Sequence, residues 1–230
     1  TALQFIFLFL DKNERYVEAE PFVMQLLELR EKNLGLNHPD TLLTLNNFAY
    51  FLSQLNKFNE AEKFYLLALE RHELVYGLNN VKVQTITNNL AYLYLNYKKD
   101  KDAEIFFRKS LEICKNIYGS DHEDTLEELE NFIDFLEDKE DYKQADLLYN
   151  ELLKSTQTLH GKEHEQTLRT KQNYAVFLRN NTKELDNAIS LLHEVLLIRR
   201  KEKNSGDISS VLTALGTTYS QKGSFDKAHE

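Results

Sequence analysis

A glycine recurs every 42 residues, at Gly35, Gly77, Gly119 and Gly161. This period constrains the 230-residue chain more than any single motif does. One unit of that length holds only a pair of helices or its equivalent, and such a unit must stack on its neighbours to bury a core. Other positions keep the beat. Ala61, Ala103 and Ala145 follow the first three glycines at a fixed offset, with Ala19 one period earlier and Ala188 and Ala228 after small slips. Ala49, Ala91, Ile133, Ala175 and Gly216 form a second series. Tyr65, Phe107 and Tyr149 form a third, one helical turn beyond their alanines.

Each unit reads as two helices. The first, His38 to Gln54 for example, places Leu45, Phe48, Ala49 and Leu52 on one face. The second, Lys57 to Val75, does so with Phe58, Ala61, Phe64, Tyr65 and Ala68. Polar turns such as "LNKFN" and "KKDKD" join them. Small residues recur where helices must approach closely, since larger ones would overpack the contact. The expected fold is all-α, a right-handed superhelical solenoid of stacked antiparallel helix pairs. Its repeats span 35–76, 77–118, 119–160 and 161–203, with partial repeats at 1–34 and 204–230. Leu3, Ile6, Phe7 and Leu10 keep the apolar spacing of an incomplete first helix, and the chain stops inside a second helix, so a longer parent protein is expected.

Four departures mark the series. Asp100 stands where Phe58, Tyr142 and Phe225 place a ring, and Lys171 where Leu45 and Leu129 place a leucine. The stretch "RNNTKELDN" carries one extra residue, which predicts looser packing in the fourth repeat. Pro21 removes one helical hydrogen bond and is expected to bend its helix without ending it.

Bulk properties exclude some functions. With 28 Lys and Arg against 37 Asp and Glu, the net charge of −9 opposes binding to nucleic acid, where affinity comes from neutralising phosphates. Cys114 is the only cysteine, so no internal disulfide forms and the cytoplasm is the default compartment. The apolar start "TALQFIFLFL" is far shorter than the roughly 20 residues of a membrane span. No membrane association is expected. The oligomeric state is open, because an uncovered "LQFIFLFL" face favours association.

The stretch "GSDHEDT" looks like a metal or acid–base cluster until its copies "GLNHPDT" and "GKEHEQT" are set beside it. His38, His122 and His164 each follow a repeat glycine by three residues, where one helix ends and the next begins. The glycine suits a left-handed C-cap and Pro39 a first helical position, while Glu123, Asp124 and Glu163 suit a helix N-terminus. Copies one helix pair apart do not converge on an ion, and Asn80 replaces the histidine in the second repeat. "HGKEH" has the histidine spacing of a zinc-protease helix but lacks its glutamate and is broken by Gly161. Cys114 reads as a small buried thiol, and Asn180-Asn181-Thr182 as a turn. No catalytic residue, metal site or cofactor is expected.

The spacing of Ala49, Ala61, Tyr65 and Ala68 resembles the tetratricopeptide repeat. The 42-residue period and "GLNHPDTLLTLNNFAYFLSQLNKFNEAEKFYLLALE" resemble its kinesin-light-chain type, a group that includes nephrocystin-like repeats. The resemblance spans nearly the whole chain.

One recurrence has no packing reason. Asn47, Asn89, Asn131 and Asn173 stand at the same offset from each glycine, preceded by Asn46, Asn88, Glu130 and Gln172. At about 100° per residue they lie opposite the packed face of the first helix. The resemblance implies that this face lines a concave groove and that these asparagines hold the main chain of an extended peptide. An amide supplies donors and an acceptor together. The groove residues so identified are Asn46, Asn47, Tyr50, Asn88, Asn89 and Tyr92, then Glu127, Glu130, Asn131 and Asp134, then Arg169 and Asn173. The acidic third repeat differs from the basic grooves of cargo adaptors, so the expected partner is a protein or peptide with an apolar anchor and a basic segment. The alternative is a regulatory or self-associating region of a larger signalling protein, or of an enzyme whose catalytic part lies elsewhere.

Overall fold

The computed structural model describes residues 15–202 and 205–223, and Leu3, Ile6, Phe7, Leu10, Phe225 and Ala228 lie outside the described residues. Ten α-helices follow one another among the described residues: α1 Tyr16–Leu34, α2 Pro39–Gln54, α3 Phe58–Tyr76, α4 Val81–Asn96, α5 Asp100–Tyr118, α6 Glu123–Asp138, α7 Tyr142–His160, α8 Glu165–Phe177, α9 Leu185–Glu202 and α10 Ser205–Gln221. They form two compact units, divided at Gly119. In the first, α1 packs on α2, α2 on α3, α3 on α4 and α4 on α5, and α2 also touches α4; in the second, α6 to α10 pack in the same consecutive way.

The repeating small residues are where the helices meet. Ala19, Ala61, Ala103, Ala145 and Ala188 are fully buried on the second helices, and Ala49, Ala91 and Ala175 on the first. Ile133 takes the corresponding place in α6 and is buried as well. Tyr65, Phe107 and Tyr149 are buried beside them, and Phe48 meets Phe64 at 4.8 Å across the α2–α3 pair. Second helices are also tied to each other across one repeat. Lys57 pairs with Glu20, Lys99 with Glu62 at 3.5 Å, Arg71 with Glu31 at 2.7 Å and Lys109 with Glu73 at 2.8 Å. Each such partly exposed rung contributes about 0–1 kcal/mol, so the apolar contacts carry the stacking.

The turn inside each repeat uses a residue in the left-handed region. Asn56, Lys98, Glu140 and Lys183 have φ between 57° and 63°. In the first three turns that residue's N–H and the next one close back on the preceding helix: Asn56 N–H to Ser53 O at 3.1 Å and Lys57 N–H to Leu52 O at 2.9 Å, with the same pair at Lys98/Lys99 and Glu140/Asp141. This is the Schellman pattern that satisfies otherwise orphaned carbonyls.

The departures have local solutions. The extra residue of the fourth repeat is taken up by one π-helical turn at Leu178–Thr182, which widens α8 before Lys183 resumes the usual turn. Lys171 is buried where other repeats place leucine, and its ammonium lies 2.8 Å from Glu194. Asp100 opens α5, where negative charge meets the helix dipole favourably. α1 runs through Pro21 without a break.

Candidate functional site

At each repeat junction the glycine turns the chain with φ between 79° and 96° and ψ between 163° and 167° or, at Gly119, 172°. The positive φ matches the expected cap, but ψ lies far from the left-handed helical value; this extended, glycine-only geometry releases the chain rather than curling it. Three residues later the side chain caps the next helix. His38, His122 and His164 accept through Nδ1 from the N–H groups of Asp40, Asp124 and Gln166, at 3.2, 3.2 and 3.3 Å, and Asn80 Oδ1 accepts from Lys82 N–H at 2.9 Å. Asparagine and histidine therefore do one job at this position. His160 ends α7, stacks on His164 at 4.6 Å, and brings Nε2 to 3.1 Å from Glu123 Oε1. Among the described residues no group of three or more His, Cys, Asp and Glu is placed to hold a metal ion. Cys114 is buried in α5, and Asn181 donates to Glu137 at 3.1 Å from within the π turn.

In the first unit, the unpacked faces of α2 and α4 form two cavities. One of about 360 Å³ is lined by Leu43, Asn46, Thr85 and Ile86, with Asp40 and Lys82 at its edge and His72 of α3 behind. Burial holds His72 below the usual histidine range, and its Nδ1 lies 2.7 Å from Ala68 O. The other cavity, about 250 Å³, gathers Tyr50, Asn89 and Tyr92 with Gln54 and Asn96. Asn47 and Asn88 are half-buried on the same two helices and line neither cavity. The side-chain carbonyl oxygens of Asn46 and Asn88, at the same place in successive repeats, are buried and accept no hydrogen bond.

In the second unit, α6 carries Glu123, Asp124, Glu127, Glu130, Asp134, Glu137 and Asp138, with Glu128 buried, and no Lys or Arg. A cavity of about 330 Å³ brings Glu127 and Glu130 together with Arg169, and a smaller one of about 140 Å³ brings Glu130 and Asp134 together with Arg169 and Asn173. Burial raises the pKa of Glu130; Arg169 opposes the shift, and Asp134, Glu127 and Glu123 add to it. Burial also raises that of Asp134, with Asp138 adding to it. Tyr149 donates to Glu137 at 2.8 Å, and burial pushes its phenol well above the ordinary range. Asn131 is half-buried on α6 and lines neither cavity.

Leu43 and Thr85, outside the expected set, also line a cavity, and with the expected Glu127 and Arg169 they complete a series that keeps the repeat phase. Leu43, Thr85, Glu127 and Arg169 are 42 residues apart, all exposed, and each faces a cavity. Leu43 and Thr85 share no chemistry with Glu127 and Arg169, so only the period joins the four in the sequence.

Tetratricopeptide-repeat family models match residues 8–74 and 83–124. No curated protein matches the chain. Among solved structures, BtubC (BKLC) from P. vanneervenii is 20% identical with a TM-score of 0.64, over 94% of this chain and 86% of that one. The nearly identical TPR-like repeats of a kinesin-light-chain candidate from Podosopora anserina are 17% identical with a TM-score of 0.71, over 89% and 96%. A tetratricopeptide repeat protein from Parabacteroides merdae is 17% identical with a TM-score of 0.61, over 99% and 75%. No helix among the described residues is long and apolar enough to cross a membrane. With paired helices, small residues at most crossings and these matches, the chain is built of tetratricopeptide repeats, a fold that typically serves as a protein-interaction module.

Proposed function

We propose that the chain binds an extended segment of a partner protein on the unpacked faces of its first helices. The observation that carries this reading is the asparagine series. Asn47, Asn89, Asn131 and Asn173 recur in phase, and none makes a side-chain hydrogen bond to another described residue. Amides left unused at a fixed spacing suit a peptide main chain, whose N–H and C=O groups are the same whatever its sequence. The position four residues earlier varies from Leu43 to Thr85, Glu127 and Arg169, and so supplies side-chain selectivity. The first unit's face takes an apolar anchor, and the acidic face of α6 in the second takes a Lys or Arg.

Replacing Asn47, Asn89 and Asn131 together by alanine is expected to remove partners recovered in an unbiased pull-down, since each lost hydrogen bond costs about 0.5–1.5 kcal/mol. Unchanged partners would rule the groove out. Asp134→Lys should weaken a basic partner, more at low salt than at high. A partner bound through acidic residues would overturn the charge assignment alone.

A further inference from the structure

Resting on that reading, we infer that the tyrosine-lined cavity of the first unit selects an uncharged carboxamide side chain, Asn or Gln, four residues along the ligand from the apolar anchor. Tyr50, Tyr65, Tyr92 and Tyr97 line this cavity of about 250 Å³, and the rings of Tyr50 and Tyr92 are exposed. Gln54, Asn89 and Asn96 line it as well, and none of the three makes a side-chain hydrogen bond to a described residue. No Asp, Glu, Lys, Arg or His lines it. A charge drawn from water into this space meets no counter-ion and loses hydration without return. A planar amide stacks on the rings and both donates to and accepts from the three unused amides. The charge balance agrees, since the first unit carries 14 Lys and Arg against 15 Asp and Glu.

The spacing follows from the two helices that build both cavities. α2 gives Leu43 and Asn46 to the apolar cavity and Tyr50 and Gln54 to the tyrosine-lined one, and α4 gives Thr85 and Ile86 to the first and Asn89, Tyr92 and Asn96 to the second. Counted over every residue that α2 and α4 contribute, from Pro39 and Lys82 to Gln54 and Asn96, the two sets are centred about eight to ten helical residues apart, or roughly 12–15 Å at 1.5 Å per residue. An extended ligand rises about 3.3 Å per residue and turns alternate side chains to the same side, so four residues cover the gap with both side chains facing the protein. The buried, unpartnered Asn46 oxygen at the apolar cavity accepts a ligand N–H beside the anchor.

The test uses the full chain and fluorescein-labelled eight-residue peptides with a serine and alanine background. Each carries Leu at position 2 and Gln, Glu or Lys at position 6; a second set has the two positions exchanged, covering both chain directions. Fluorescence anisotropy should show the Gln peptide binding at least about tenfold tighter than the Glu and Lys peptides in one direction, the loss expected for one unpaired polar group. Moving Gln to position 5 should abolish the preference. Asn89→Asp, and independently Gln54→Glu at an exposed position, should invert it in favour of Lys while leaving the circular dichroism unchanged. Equal binding of the Gln, Glu and Lys peptides overturns the inference. If binding in that case still falls on Leu→Ser at position 2 and on Asn47→Ala, the groove reading survives; if no peptide binds at millimolar concentration, both fall.

Discussion

The two units use one helical template with different electrostatics, the first near neutral and the second acidic. In the first, His72 is the only ionisable side chain other than tyrosine and cysteine that is buried among the described residues, and the open faces of α2 and α4 carry amides and phenols. In the second, Glu128, Lys171 and Arg199 are buried and α6 carries eight carboxylates. The second unit holds 14 Lys and Arg against 22 Asp and Glu, so nearly all of the chain's excess negative charge falls there. The template therefore fixes the small residues at helix crossings and the caps at junctions, and leaves charge free wherever a partner is close. Lys171 finds Glu194, and Arg199 donates through both terminal nitrogens to Glu165.

The largest effect should separate the units at their ion pairs. Glu194→Ala leaves the Lys171 ammonium buried without its carboxylate and should cost about 1–3 kcal/mol; this lies below the cost of breaking a fully buried pair because Glu194 is more than half exposed. Glu73→Ala removes the partner of the half-buried Lys109 and should cost less than about 1 kcal/mol. Urea midpoints followed by circular dichroism measure both. Equal losses would mean that the second unit does not depend on its internal charges, and the contrast would fail.

How far the sequence foretells this depends on whether a feature repeats with the same chemistry. Gly35, Gly77, Gly119 and Gly161 repeat unchanged, and they mark every junction that the structure shows in α1 through α8. The histidines repeat with one asparagine among them, which was enough to read them as caps and not as ligands. Lys171 broke the leucine series without naming its partner, because Glu194 lies on another helix. Asn56, Lys98 and Glu140 share a left-handed backbone but no side-chain chemistry, and are silent in the sequence. The cavities are silent for a related reason: each needs residues from two or more helices, and helical periodicity describes one helix at a time.

The acidic face offers a second way to sharpen the contrast, through pH. Burial, above all, raises the pKa of Glu130 and Asp134 in the folded state. Between the ordinary carboxylate value and the raised one, the folded chain holds more protons than the unfolded one, so this contribution falls as pH rises through that window. Glu130→Gln should then stabilise the second unit at neutral pH and flatten its dependence on pH. Glu165 acts in the opposite sense. Its hydrogen bond to Arg199 lowers its pKa, so its contribution is present at neutral pH and is lost as pH falls through the folded value. Thermal midpoints of Glu130→Gln and Glu165→Gln across about pH 3 to 7, a range that straddles the ordinary carboxyl value, should therefore diverge. Parallel curves would show that neither carboxyl titrates differently on folding.

The smallest effect lies in the turns, where the units differ by one residue type. Asn56 and Glu140 both sit at φ 58° and close the same Schellman pattern after α2 and α6. A side chain with a Cβ pays about 1–2 kcal/mol to enter this region, and asparagine pays less because its short amide bonds locally to the backbone. Glycine removes that cost but gives back part of it through the greater freedom of the unfolded chain. Glu140→Gly should therefore stabilise the second unit by up to about 1 kcal/mol, while Asn56→Gly should change the first by no more than a few tenths. Glu140 is exposed, so the substitution removes no packing that would obscure the backbone effect. A gain at Asn56 equal to that at Glu140 would mean that asparagine holds no advantage in this turn, and that the backbone alone sets the energy of both.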